Sequence, residues 1–326
     1  MESNSQTDFH EIITEQKELD ALKNFKNSLA TITTDNKKYI TVEVLTNNDL
    51  LIHFLRARKL NIKKAEEMIL KYLKWYIDYN VDDIYKNFQL ENFEFFKQIY
   101  LHSYHKTSKE GYPIYIQVIG NVNIDALDKN YTHELLIKYS AKLYESNDRL
   151  YFPICSKVAN KYIHGLFTII DMKNLSNKIL SKKFYNFVKS NLEVCQDYYP
   201  ECLYEACIIN CGFLFKALFT VVKPFLDSKT KSRVKVYGND YKNYLLSKID
   251  KENLPKLYGG ECECKSPGGC FFSGAGPWKT TEDEPVSKEV AEQRIRAVNK
   301  CFFGKEVIEE KKEDKKETEE EKKNEK

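Results

Sequence analysis

Three groups of side chains in this 326-residue chain have the types and spacing to do chemistry. Cys262-x-Cys264, with Cys270 close behind, offers three thiols of the kind that hold zinc. Zinc wants four ligands in a tetrahedron. No fourth ligand lies nearby in the sequence and no second Cys pair exists, so no metal site is expected. Gly269-Cys-Phe-Phe-Ser-Gly274 has the spacing of a phosphate-binding loop, but Ala275 and Gly276 stand where Lys and Ser or Thr are needed. Asp171 closes an apolar, strand-like run and could serve as a general base. With no second catalytic group near it in the sequence, a cap or turn role suits it better. The six His form no H-x-x-x-H pair, and no G-x-S-x-G elbow, phosphatase loop or dinucleotide-binding glycine motif occurs. Enzymatic catalysis is therefore not expected, and neither is a cofactor.

The stretch with the most unusual physics is not reactive. Cys207 to Asp227 begins as a short apolar strand, turns at Asn210-Cys211-Gly212, and continues as a helix from Phe213 to Val222 that Pro224 stops. Phe213, Phe215, Leu218, Phe219 and Val222 are among the residues that make this helix apolar around nearly its whole circumference, and Lys216 and Thr220 are its polar interruptions. Such a helix is buried in a core or faces something greasy. It is too short to span a bilayer, which takes about 20 residues.

Composition sets the surroundings. Apolar residues are 42% of the chain, enough for a sizeable core, and no apolar run reaches the length of a transmembrane helix. The acidic, polar N-terminus is no secretory signal, and neither end carries a lipidation motif. Nine Cys in such a context read as reduced thiols of a cytoplasmic protein. The formal net charge is +3, and the tail from Lys305 holds 8 Lys and 10 acids, so the rest carries 3 − (8 − 10) = +5. A mildly basic body suits an anionic membrane surface or a phosphate ligand and argues weakly, if at all, for nucleic acid.

The elements that must position these groups follow in order. Residues 1–45 read as a polar extension with a helix near Ile12–Ser28. Residues 46–100 read as an all-helical lobe. Asn47, Asn48 or Asp49 caps a helix over Leu50–Lys59, Asn61 caps one over Ile62–Tyr79, and a third runs over Leu90–Ile99. Residues 101–262 then alternate strand and helix. The strands are Ile114–Ile119, Leu166–Ile170, Cys207–Ile209 and Arg233–Tyr237, with helices over Thr132–Asn147, Ser181–Gln196, Phe213–Val222 and Tyr241–Ile249. That alternation predicts an α/β domain with a largely parallel sheet. Residues 263–303 form a C-terminal extension with a helix over Ser287–Asn299, and 304–326 a charged tail without a core.

Several stretches, in this order, resemble the CRAL-TRIO lipid-binding family. They are Leu51-Ile-His-Phe-Leu-Arg-Ala-Arg-Lys59 with the helix carrying Tyr-Leu-Lys-Trp75, then Lys106 to Tyr115, Thr168-Ile-Ile-Asp171, Tyr198-Tyr-Pro-Glu201, Ile208-Ile-Asn210, Lys223-Pro-Phe-Leu-Asp227 and Leu254 to Gly260. Gly276-Pro-Trp278 resembles the phosphatidylinositol/phosphatidylcholine transfer branch. The resemblance implies a helical N-terminal lobe and a sheet that floors an apolar lipid pocket. It also implies that the Phe213–Val222 helix is a lid or gate over that pocket, with Phe215, Phe219 and Val222 on it. The implied phosphatidylinositol contacts are Arg58, Lys59, Glu201, Thr230 and Arg233, where cations and a hydroxyl hold the phosphate and the carboxylate accepts from inositol hydroxyls. Taken alone, Arg58 and Lys59 would read as a solvated helix end. The implied phosphatidylcholine contacts are Tyr104, Tyr115 and Thr168, since aromatic faces suit a quaternary ammonium. A hydroxyl residue of that set, two positions before Thr168, is Leu166 here. The expectation is a monomeric, non-enzymatic transfer protein that docks transiently on membranes, at the Golgi or another endomembrane. The alternatives are a module that presents lipid to a kinase or other partner, and a carrier of another hydrophobic ligand.

Overall fold

The computed structural model describes residues 9–222, 228–280 and 285–303. The expected charged tail and the Lys223–Asp227 motif lie outside the described residues.

The chain begins with helices. α1 (Gln16–Ala30), α2 (Val42–Thr46), α3 (Asn48–Ala57) and α4 (Ile62–Asp78) are followed by α5 (Val81–Asn87) and α6 (Phe93–Ile99). Asparagines start two of them as expected. The Asn47 side chain accepts from the Leu50 amide at 2.9 Å and the Asn61 side chain from the Lys64 amide at 3.0 Å. Each satisfies a donor that a helix start leaves orphaned. α1 packs on α3 and α4. Leu22, Phe25 and Leu29, which fall in the stretch read as a polar extension, join Leu51, Phe54, Leu55 and Ile69 in one buried cluster. The amphipathic period of α1 does this despite its polar composition.

A five-stranded sheet follows, in the order β1 (His102–Thr107), β2 (Pro113–Val118), β3 (Leu166–Asp171), β4 (Leu203–Ile209), β5 (Val234–Val236). β1 and β2 form an antiparallel hairpin, and the remaining pairs are parallel. The turn of that hairpin is Ser108 to Tyr112, closed by the Ser108 amide donating to the Tyr112 carbonyl at 2.8 Å. β1 was not legible as a strand because His-Ser-Tyr-His-Lys-Thr carries no apolar alternation. The strand expected to start at Arg233 starts one residue later, and Arg233 instead ends helix α12 (Ser228–Arg233).

Parallel strands need long crossovers. β2 reaches β3 through α7 (Ile124–Asn130), α8 (His133–Ser146) and α9 (Phe152–Ala159), β3 reaches β4 through α10 (Lys182–Tyr198), and β4 reaches β5 through α11 (Phe213–Val222) and α12. The chain finishes with α13 (Lys242–Lys248) and α14 (Lys288–Phe303). The sequence did not reveal α2, α5, α7, α9 and α12, which are short and have few turns in which to show a period.

The period-2 alternation of side chains divides the sheet into two faces. Ile114, Ile116, Phe167, Ile169, Cys207 and Ile209 pack with Leu245, Leu254, Tyr258 and Phe302 into a solid core. The opposite face, carrying Tyr104, Tyr115, Thr168 and Ala206, looks into a cavity.

Candidate functional site

The cavity has a volume of about 440 Å³ and lies between the sheet, α8, α10 and α11. Its floor is built by strand register. Tyr104 pairs with Tyr115, Tyr115 with Thr168, Thr168 with Ala206 and Ala206 with Val234, so one row of residues crosses all five strands on the cavity side. Leu166, Ile170 and Ile208 flank this row, as the alternation requires. The opposite wall takes Phe184, Phe187 and Val188 from α10 and Tyr139 and Leu143 from α8. The interior is mostly hydrocarbon and aromatic carbon, with single polar side chains such as Gln117, Ser140 and Asn191 in the walls and two larger polar groupings, the general form of a small-molecule site.

The first polar place is a charged mouth. Arg58 and Lys59 from the end of α3, Glu201 from the turn before β4, and Lys229, Thr230 and Arg233 from α12 all line the cavity. The backbone is shaped to present them. Lys59 and Glu201 stand at φ 54° and 65°, in the left-handed region that side chains rarely occupy. Strain of this kind persists where surrounding contacts hold it, and it gathers at binding sites. The Glu201 carboxylate accepts from Lys229 Nζ and lies 3.4 Å from an Arg233 guanidinium nitrogen. The other Arg233 terminal nitrogen donates to the Leu203 carbonyl. Glu201 therefore holds two cations together on α12, while Arg58, half-buried, and Lys59, exposed, face them across the mouth. The set carries four positive charges against one negative, an excess that an anion can neutralise.

The second polar place is an aromatic corner. Tyr104 and Tyr115 stand 4.7 Å apart centre to centre, and Tyr151 stacks on Tyr104 at 4.1 Å. The Tyr104 hydroxyl donates to Asn147 Oδ1 at 2.7 Å. Asn147 begins a π-helical turn, Asn147–Tyr151, that joins α8 to α9. Single π turns inside helical segments occur often at functional sites. Trp278 closes the corner, edge-on to Tyr151 at 4.8 Å. Burial pushes the Tyr115 phenol up to about 12 and the Tyr104 phenol well above its ordinary value, so both stay neutral in a physiological pH range. Thr168 is buried beside Tyr115, and Leu166 lies on the same face, where its isobutyl group offers no hydrogen bond.

α11 covers the cavity. It runs from Phe213 to Val222, the bounds expected from the sequence. Phe215 is buried and Phe219 half-buried, both lining the cavity, and their rings stack at 5.5 Å. Phe213 points the other way and is 87% exposed, as is much of Leu180 nearby in the segment that α11 packs against. The Val222 side chain lies outside those described.

The five expected phosphate-end residues thus share one end of the cavity, the three expected choline-end residues share a single sheet row, and Phe215 and Phe219 roof the space. Sequence reasoning missed Lys229, Asn147 and Tyr151, and did not assign Trp278 to the site. Lys229 was within reach, one residue before Thr230. Asn147 and Tyr151 sit in a helical stretch whose π turn has no sequence signal.

A helical lobe followed by a mostly parallel sheet that floors an apolar, charge-mouthed cavity defines a class of carrier domain. The chain matches the CRAL/TRIO domain over residues 97–260 and the CRAL/TRIO N-terminal domain over residues 19–71, and it belongs to the CRAL/TRIO family. It is 34% identical over 247 residues to the phosphatidylinositol/phosphatidylcholine transfer protein SFH11 of Arabidopsis thaliana, covering 76% of this chain and 65% of that protein. It is 36% identical over 228 residues to the Sec14 cytosolic factor of Schizosaccharomyces pombe, covering 70% of this chain and 79% of that one. A second Arabidopsis thaliana transfer protein, SFH7, is 35% identical over 296 residues, covering 82% of this chain and 54% of that protein. In three dimensions, the crystal structure of Sfh5 aligns with a TM-score of 0.58 at 15% identity, covering 77% of this chain and 89% of that one. At that identity the match speaks for the fold alone. Among the described residues no helix is long and apolar enough to cross a membrane.

Proposed function

We propose that this protein is a phospholipid transfer protein that binds phosphatidylinositol in the cavity, phosphate at the mouth and acyl chains between sheet and lid. The observation that carries the reading is that Arg58, Lys59, Thr230 and the Lys229–Glu201–Arg233 group line one largely apolar cavity. Cations and a hydroxyl suit a phosphate, and a carboxylate held by two of those cations can accept from inositol hydroxyls. The aromatic corner of Tyr104, Tyr115 and Tyr151 can receive a choline headgroup through its ring faces. Relatives named as phosphatidylinositol/phosphatidylcholine transfer proteins support both assignments.

Energetics then dictate the mode of exchange. Two acyl chains carry on the order of 30 methylenes at ~0.8 kcal/mol each, so wetting them costs roughly 20 kcal/mol or more. Desorption through water is too slow to serve. The protein docks as a monomer on a cytoplasmic leaflet, α11 lifts with Phe213 leading into the interface, and lipid passes between bilayer and cavity without exposure. The basic body assists docking on anionic lipid. No nucleic acid, metal or cofactor takes part in this cycle; lipid is cargo.

The direct test is native mass spectrometry of the protein purified from cells, with lipid extraction. About one phosphatidylinositol per chain is expected. A folded protein that carries only a sterol or isoprenoid, or nothing, would overturn the reading.

A further inference from the structure

Away from the cavity, the fold assembles a group that the sequence keeps apart. The ligand atoms of His105, Cys262, Cys264 and Cys270 all lie within 4.8 Å of one another. The Cys262 and Cys264 sulfurs are 3.8 Å apart. A tetrahedron of Zn–S bonds of about 2.3 Å has sulfur–sulfur edges of about 3.8 Å, so this pair already stands at ligand spacing. Closing the remaining atoms onto an ion asks for shifts on the order of 1 Å. None of the four lines the lipid cavity.

His105 is the independent observation. It is fully buried, and among the described residues neither ring nitrogen has a hydrogen-bond partner. Buried polar atoms are nearly always paired, and an orphaned one asks for an explanation such as an ion. The strand is bent to aim it. The register of β1 against β2 shifts between Tyr104 and Thr107, and Lys106 in that irregularity stands at φ 52°. Bulges re-aim side chains in this way.

The cysteines are held in place by backbone. Gly260 lies so close to the chain before it that a Cβ there would meet the Leu254 carbonyl oxygen at 2.0 Å. This tight return lets the Cys262 amide donate to the Leu254 carbonyl at 3.0 Å and the Lys256 amide to the Cys262 carbonyl at 3.1 Å. Cys270 sits in the 3-10 turn Gly269–Phe271, entered through Gly268 and Gly269 at φ 83° and 60°. Cys264 is half-buried, which leaves an approach for an ion.

We propose that His105, Cys262, Cys264 and Cys270 form a tetrahedral zinc site that clips the C-terminal segment to β1. Three thiolates and one imidazole are a usual structural zinc set, closed to substrate. Coordination satisfies one orphaned ring nitrogen and releases the thiol protons to solvent. The clip has a position of consequence. His105 follows Tyr104, and the segment that carries the cysteines runs on to Trp278, which stands against Tyr151 in the aromatic corner. The Lys106 amide, next to His105, donates to the Ala275 carbonyl at 2.6 Å, so metal and backbone fasten the same two strands of chain.

The test is metal analysis of the full chain, expressed in zinc-supplied cells and purified with reductant, after dialysis against a weak chelator. About one zinc per chain is expected. Replacing zinc by cobalt(II) should give the visible d–d envelope of a tetrahedral site and thiolate-to-cobalt charge-transfer absorption. His105→Phe should weaken zinc at least about tenfold in chelator competition, the scale on which even supporting groups act. His105→Cys, which keeps four ligands, should retain the metal. Stripping zinc from the parent with a strong chelator should lower the melting temperature. Should a variant fail to fold, cobalt titration of the stripped parent still decides. A parent that binds well under one zinc per chain and gives no tetrahedral cobalt spectrum would sink the proposal, as would a Cys262–Cys264 disulfide in place of metal, or unchanged zinc affinity in a folded His105→Phe protein.

Discussion

Glu201 sits between two cations, and that position decides what each charge at the mouth can do. It pairs with Lys229 and lies close to Arg233, so a phosphate would have to share Arg233 with it. Arg58 donates to the neighbouring Ala57 carbonyl at 3.1 Å, a local bond to its own helix end, which makes it the cleaner probe. A charge-assisted hydrogen bond is worth about 1.5–3 kcal/mol, or roughly ten- to a hundredfold in affinity. Arg58→Ala is expected to lose phosphatidylinositol transfer on that scale with little change in melting temperature. Arg233→Ala should lose as much transfer and also some stability, ~1 kcal/mol, because its bond to the Leu203 carbonyl goes with it. Phosphatidylcholine transfer should survive both changes, since Tyr104, Tyr115 and Thr168 are untouched. Transfer of each labelled lipid between vesicles reads this out, and equal loss of both lipids would mean that the mouth serves docking or fold instead. Leu166 belongs to the other end. Leu166→Ser introduces a hydroxyl beside Thr168 and is expected to raise phosphatidylcholine transfer, at a stability cost of roughly 2–4 kcal/mol for the lost buried side chain.

At the scale of elements, α11 carries the argument. Its inward residues differ from its outward one in what they should do. Phe219→Asp places a charge on the path of the lipid, at a cost of about 2–4 kcal/mol at membrane depth, and should abolish transfer. Circular dichroism must accompany that assay, since Phe219 also packs on the hydrophobic cluster beneath α11. Phe213 is already 87% exposed, so Phe213→Ser should leave the folded protein as stable as before. What it should lose is vesicle binding, by about 1.5–3 kcal/mol if the ring inserts fully. Sedimentation with anionic vesicles measures this, and undiminished binding would count against Phe213 as the leading contact.

At the scale of the molecule, the two faces of one sheet have separate work. The face toward α13 and α14 is solid, with Phe167 and Ile169 fully buried in it. Phe167→Ala should therefore cost about 3–5 kcal/mol in urea unfolding. It should not alter which lipid is carried, because the neighbours on either side of it, Leu166 and Thr168, face the cavity and stay as they were. A change of lipid preference in folded Phe167→Ala protein would show that the faces are not independent. Such a division lets a carrier keep a cavity under one face of a sheet whose other face supplies the stability.

What the sequence determined by itself is what periodicity and composition can carry. The apolar circumference of Phe213–Val222 fixed a helix with those bounds, and the β-branched runs at Ile114, Leu166 and Cys207 placed three central strands. The asparagines at 47 and 61 marked where helices begin. These signals are local, because a helix cap or a strand run is made by neighbours in the chain. Other features depend on partners far away in sequence. β1 reads as polar, yet its His102, Ser103, Tyr104 and His105 are buried, His102 and Tyr104 against the aromatic residues Tyr139 and Tyr151, and Ser103 and His105 against the C-terminal segment that carries Cys270. The roles of Arg58, Glu201 and Arg233 at one mouth need three separate elements to converge, and no single stretch signals that. The sharpest case is the cysteine trio, for which the sequence offered no fourth ligand. Tertiary structure supplies one from β1, since only the bulge at Lys106 and the glycine turn at Gly260 bring His105 and Cys262 to one point in space.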